Sequence, residues 1–393
     1  MYKCEVIPKN YLIGKQIGYI VLIDLLLFPY FQFVILPYSF LLIVFGFLFL
    51  NITITKDYYL QLFKIIVFFV LLTLIVSIFW SPYSEFITPN MKRVLQFLAS
   101  FLYFFYFKWL TKRVQLNIKL ILIFFVSWYF FWGIMFQLNP LYTQNIISII
   151  YGRLVISEIA VLYHYRFSYL FQDANTGIYF FLIALSYLLK HEKKRILLFL
   201  FIIAGALMVI AAQSLGGLIS FSIMLFVLFT NNIKKYFHSI KKIFLLLLFV
   251  IATYFVYLYY MKITQDNVVV EFAMNRLFDS NERFSSGGSR FYHWAEVYEK
   301  LAPLPIGRGY TLFNEGRIKP PHSDLFGLLY RYGFVVLFAS SYFFFSKYRK
   351  VTLLLIPAIM AFSINSLIDE TKLLALFLSL LAIETSIKKQ NKS

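Results

Sequence analysis

In the segment KPPHSDLFGLLYRYG, residues 319–333, a histidine and an aspartate stand directly before an apolar, helix-like run. Pro320 and Pro321 keep the chain from turning helical ahead of His322, and Ser323 or Asp324 can cap the apolar helix. Histidine is the side chain best matched to general-base work near neutral pH. His322 therefore reads in two ways, as a residue at a helix boundary or as a base. The five histidines show no metal-ligand spacing, and the single cysteine, Cys4, supplies no thiolate partner, so no metal or other cofactor is expected.

Arginine is the second chemical signal. Upstream of His322, Ser289 can cap a helix running to about Ala302, with Arg290, Trp294, Val297 and Leu301 on one face at spacings of four, three and four. That helix reads as a surface-lying amphipathic element with Arg290 snorkelling, or as part of a binding loop with Arg276 and Arg308. The stretch PIGRGY is a Gly/Pro-rich bend without the strand and helix of a nucleotide-binding loop. Earlier in the chain, Arg166 precedes DANTG, where Asp173, Asn175 and Gly177 open a helix. DANTG reads as a helix cap, or as the place where Asn175 and Arg166 meet at the mouth of a cavity; both readings stay open.

The elements that must carry these residues are membrane helices. The 393-residue chain is 61% hydrophobic and only 14% charged, with a mean hydropathy of +0.76. A soluble domain is about one-quarter charged, so the composition excludes one and points to an integral membrane protein. At about 20 apolar residues per span, twelve spans are expected. They lie near 16–32, 34–52, 63–80, 94–110, 119–138, 174–190, 196–212, 214–230, 243–261, 323–345, 351–366 and 371–387. The expected fold class is thus all-α, a single polytopic domain over 1–393 with two outer loops, 139–173 and 262–322. Within the first loop, the apolar stretch 154–163 is too short to span and reads as a re-entrant or interfacial helix. No cleavable signal peptide is read before the first span.

Charge sets the sides. The N-terminus and alternate loops hold 23 of the 37 Lys and Arg, which makes that side cytoplasmic, with both termini inside. The dispersal of the basic residues in short clusters excludes a nucleic-acid face, despite a formal charge of +19. Only three of the 23 cytoplasmic basic residues are arginines, Arg113, Arg195 and Arg349, whereas nine of the 14 outer ones are. Topology needs only positive charge, while arginine adds a planar fork suited to phosphate. The outer arginines either pair with neighbouring acids such as Asp279 and Glu282 or form a site for an anionic ligand.

The order of these features resembles the O-antigen ligase and Wzy-type O-antigen polymerase superfamily of bacterial inner-membrane glycosyltransferases. An "R…W…P…G.G" segment, a His-Asn/Ser pair and a later glycine are matched by Arg290, Trp294, Pro305, Gly307, Gly309, His322, Ser323 and Gly333. An upstream Arg and Asp/Pro-x-Asn are matched by Arg166, Asp173 and Asn175. Arginine, ten residues, then glycine occurs at Arg166–Gly177 and Arg276–Gly287, as in the polymerase type. Where many ligases carry Ser-Arg-Gly, this chain has Ser214-Leu215-Gly216, a departure that favours the polymerase. The resemblance implies joining of undecaprenyl-pyrophosphate-linked oligosaccharide repeat units at the periplasmic face, without metal and with a possible chain-length regulator protein as partner. His322 would be the base, Arg166, Arg276 and Arg290 would grip pyrophosphate, and Asp173, Asn175 and Trp294 would orient sugar. The alternatives are an O-antigen ligase acting on lipid A core and a lipid-linked oligosaccharide flippase. A flippase should show charges within spans and two matching halves, whereas Asp24 is the clearest mid-span charge here. A membrane acyltransferase, a third reading, should carry its histidine inside a span.

Overall fold

The structure is a computed structural model. It describes residues 8–28, 36–50, 52, 58–80, 87–151, 166–171, 173–230, 294, 306–308, 313–314, 317–318, 323–365, 367–368 and 370–390. Among them the chain forms helices α1 (Lys9–Leu27), α2 (Ser39–Phe49), α3 (Tyr58–Trp80), α4 (Ile87–Leu110), α5 (Lys119–Leu138), α6 (Pro140–Tyr151), α7 (Ala174–His191) and α8 (Arg195–Ala212). There follow α9 (Leu215–Thr230), α10 (Asp324–Phe345), α11 (Tyr348–Ile364) and α12 (Thr371–Gln390). Five of these, α1, α3, α5, α8 and α10, are long and apolar enough to cross a membrane by length and composition.

The helical membrane class is as expected, with two differences of detail among the described residues. Two strands, β1 (Phe313–Asn314) and β2 (Arg317–Ile318), pair antiparallel as a small hairpin within the stretch 262–322, so the chain is not purely α. Helix α6 lies within the stretch 139–173, N-terminal to 154–163, which lies outside the described residues. Its apolar positions are broken by Gln144 and Asn145, which is why it does not read as a span. The expected span 243–261 and most of the loop 262–322 also lie outside the described residues.

The chain divides into two compact units, one of residues 1–121, 292–355 and 361–393, the other of 122–291 and 356–360. In the first, α12 packs on α4, α10 on α3 and α1 on α2. Lipid is as apolar as a leucine side chain, so such helices associate by close packing and polar contacts rather than by the hydrophobic effect. Aromatic rings supply the packing here: Phe343 of α10 meets Tyr59, Phe101 and Phe104 edge-on, with centroids 4.9–5.0 Å apart. Polar contacts supply the rest. The backbone N–H of Ser39 donates to Asp24 Oδ2 at 2.7 Å, and Lys372 Nζ donates to the carbonyls of Asp24 and Leu25 at 3.1 and 3.5 Å. Two last-turn carbonyls of α1 thus accept from a fully buried ammonium at the start of α12.

The second unit is built round α7. From Ala174 to Leu189 every residue is buried except Asn175. Helix α8 packs along it, and Tyr129 of α5 contacts Phe167, Tyr169 and Phe181 with ring centroids 4.6–5.1 Å apart.

Candidate functional site

The N-terminal end of α7 and the α8–α9 turn bring together Arg166, Asp173, Asn175 and Ser214. Asp173 caps α7: its Oδ1 accepts from the Asn175 backbone N–H at 3.2 Å and from Asn175 Nδ2 at 3.0 Å. With its amide nitrogen so engaged, Asn175 turns Oδ1 the other way. That oxygen accepts from Arg166 Nη2 at 3.0 Å and from the Ser214 hydroxyl at 2.8 Å. Arg166 also donates through Nε to the Ala212 carbonyl at 2.9 Å and through Nη2 to the Gln213 carbonyl at 3.4 Å. The guanidinium is thus held by neutral oxygens at the C-terminal end of α8, where the helix dipole favours a cation. Hydrogen bonds of this kind fix its orientation.

The local backbone is shaped for this contact. The Phe167 N–H donates to Ala211 O at 3.1 Å, which lays the chain after Arg166 against the end of α8. Gly177 sits so close to Ser168 that a Cβ would overlap the Ser168 carbonyl, so this position admits only glycine without displacement of the segment. Two non-glycine residues adopt left-handed conformations here, Tyr169 (φ 55°) and Gln213 (φ 47°). Such conformations each cost on the order of 1 kcal/mol or more and persist where the surroundings over-determine them.

In the other unit, α10 begins at the residue after Ser323. Ser323 occupies the N-cap with extended backbone but makes no side-chain cap bond, contrary to the capping expected of it. The Asp324 carboxylate reaches beyond its own helix. It accepts the backbone N–H groups of Leu367 and Ile368, the latter at 3.0 Å, pinning the α11–α12 connection to the start of α10. Trp294 stacks on Phe326 of the first turn with centroids 5.5 Å apart. Further along, α10 breaks at Gly333 (φ 82°, ψ 177°). The bend at 306–308 docks beside the break: Arg308 N–H donates to Tyr330 O at 2.9 Å, and Gly307 lies against the Arg331–Tyr332 peptide closely enough to exclude a Cβ. Arg331 is buried, at 5% exposure.

Of the residues singled out in the sequence, Arg166, Asp173 and Asn175 come together, and Trp294 lies against the first turn of α10. His322, Arg276 and Arg290 lie outside the described residues. Sequence reasoning treated Ser214 only as a place where an arginine is lacking. Its hydroxyl both donates to Asn175 and accepts the Gly217 N–H at 3.1 Å as the cap of α9. A serine opening an apolar run was the available signal.

Among curated proteins none matches the chain. Residues 198–341 match the family model described as O-Antigen ligase, a stretch that contains the α8–α9 turn, His322 and all of α10 up to Ser341. The match over residues 198–341 is consistent with the O-antigen ligase and Wzy-type superfamily that the chain's motifs resemble.

Proposed function

We propose that this membrane protein is a surface-polysaccharide polymerase of the bacterial inner membrane. The family match supports an O-antigen ligase- or polymerase-type activity on lipid-linked sugars in general. The observation that carries the reading further is the Arg166 cradle, a guanidinium fixed by the carbonyls of Ala212 and Gln213 and by Asn175. The substrate would be an oligosaccharide repeat unit on undecaprenyl pyrophosphate, entering from the bilayer with its sugar and pyrophosphate at the periplasmic surface. An acceptor hydroxyl at the non-reducing end of a second unit attacks the anomeric carbon. The bond from that carbon to the pyrophosphate oxygen breaks, and the leaving pyrophosphate takes the electron pair. His322 accepts the hydroxyl proton, while Arg166, with Arg276 and Arg290, meets the charge developing on the leaving group. Asp173, Asn175 and Trp294 orient sugar. Arg166 donates to the carbonyls of Ala212 and Gln213, just before Ser214-Leu215-Gly216, and it is the lack of an arginine within that triplet, where many ligases carry one, that favours the polymerase.

The test is transfer by the purified protein in detergent with lipid-linked repeat units as both donor and acceptor. A ladder of products is expected, and His322→Ala should reduce its rate by about 10³-fold. Long chains made at normal rate by His322→Ala would sink the base assignment. No ladder, with transfer seen once lipid A core is added as acceptor, would make the protein a ligase.

A further inference from the structure

Gln213 is the C-cap of α8, its backbone N–H donating to the Ile210 carbonyl at 3.0 Å, yet it is an unusual residue for that place. It ends α8 in a left-handed conformation (φ 47°, ψ 43°), the position at which glycine carries no penalty, although the chain places glycines at 216 and 217. Its side-chain Oε1 is buried and has no hydrogen-bond partner among the described residues, while its backbone carbonyl accepts from Arg166. A buried acceptor without a donor is unfavourable, and a strained backbone under the same residue adds to the penalty. Two unfavourable features at one residue beside the Arg166 cradle mark an acceptor held ready for a donor that arrives with the substrate.

We propose that Gln213 is a specificity-determining residue whose side-chain carbonyl accepts a hydroxyl hydrogen bond from the sugar next to the pyrophosphate of the lipid-linked substrate. The proposal deepens the transferase reading and rests on it for the identity of the substrate. A phosphate brings acceptors to the site, and Arg166 suits it. A saccharide hydroxyl brings the donor that Oε1 lacks. The terminal amide torsion of glutamine is soft, so a rotation about it presents the oxygen without moving the turn.

The experiment compares the full-length protein with Gln213→Gly, which removes both strain and acceptor, and with Gln213→Met, which keeps length and strain but removes the acceptor. Without ligand, Gln213→Gly should melt about 2 °C above the wild type in detergent. Melting is then measured with two probes, undecaprenyl pyrophosphate and lipid-linked oligosaccharide extracted from native membranes. The wild type should gain more from the oligosaccharide than from the sugar-free lipid. Both variants should lose that extra gain while keeping the response to undecaprenyl pyrophosphate, with KM for transfer up about tenfold and kcat within about twofold. Retention of the saccharide-dependent gain by either variant overturns the proposal, as does its absence from the wild type. A saccharide-dependent gain present in the wild type and lost in both variants, but with no turnover, fails the transferase reading and still supports Gln213 as a saccharide contact.

Discussion

Two polar clusters, one in each unit, use charge in opposite ways. At the end of α7 a cation is held by carbonyl and amide oxygens, and Arg166, Asp173 and Asn175 are all partly exposed. At the starts of α10 and α12 the charges are buried and engaged with backbone. Asp324 accepts two N–H groups, and Lys372 donates to two carbonyls of α1. On the proposed function, the first arrangement orients a charge for a ligand; the second stitches helices together in the buried interior. In lipid the same residue types serve as ligand contacts or as rivets according to whether their partners leave the charge accessible.

This contrast can be broken. Arg166→Ala should lower transfer by about 10²–10³-fold, the scale of losing one donor to a developing anion, with little change in melting temperature. Arg166→Lys should recover only part of this, because an ammonium cannot reproduce the fork shared among Asn175, Ala212 and Gln213. If Arg166→Ala melts early and is fully active in the fraction still folded, the cradle belongs with the rivets. Lys372→Met should act in the reverse sense and lower stability by about 3 kcal/mol, since α1 keeps buried carbonyls and Asp24 loses a nearby cation. Adding Asp24→Asn should recover part of that loss in thermal melting. Asp324→Ala should cost about 2 kcal/mol by orphaning the Leu367 and Ile368 N–H groups, and Asp324→Asn less, since one acceptor oxygen remains. Smallest is Ser214→Ala, about 1 kcal/mol for the α9 cap and a modest loss of activity through Asn175.

Apolar length made most of the helices legible, because a span must satisfy its own backbone. Their ends were less so. Helix α3 begins at Tyr58 and α4 at Ile87, several residues earlier than hydropathy suggests, since polar first turns do not register as apolar. Within the site, DANTG and Arg166 were legible because the cap is local and the arginine lies within ten residues of it. Both readings of DANTG apply in part: Asp173 is a cap, and the same cap sets the face of Asn175 that meets Arg166. The links from Asp324 to Leu367 and from Lys372 to Asp24 span 43 and 348 residues, and no spacing rule reaches across such distances. Gln213 was passed over because a left-handed conformation at glutamine leaves no trace in composition.

The break in α10 bears on how the protein is made. With Asp324 at its start, Arg331 buried within it and a non-helical residue at Gly333, this segment is a poor passenger for lateral release into lipid by itself. The groups that complete it are contributed by chain on both sides: Arg308 N–H, synthesised before it, and the Leu367 and Ile368 amides, synthesised well after. Its stable integration should therefore depend on chain made later, the segment between α11 and α12. Truncation before residue 367 should leave α10 handled as a quality-control substrate rather than as a settled span.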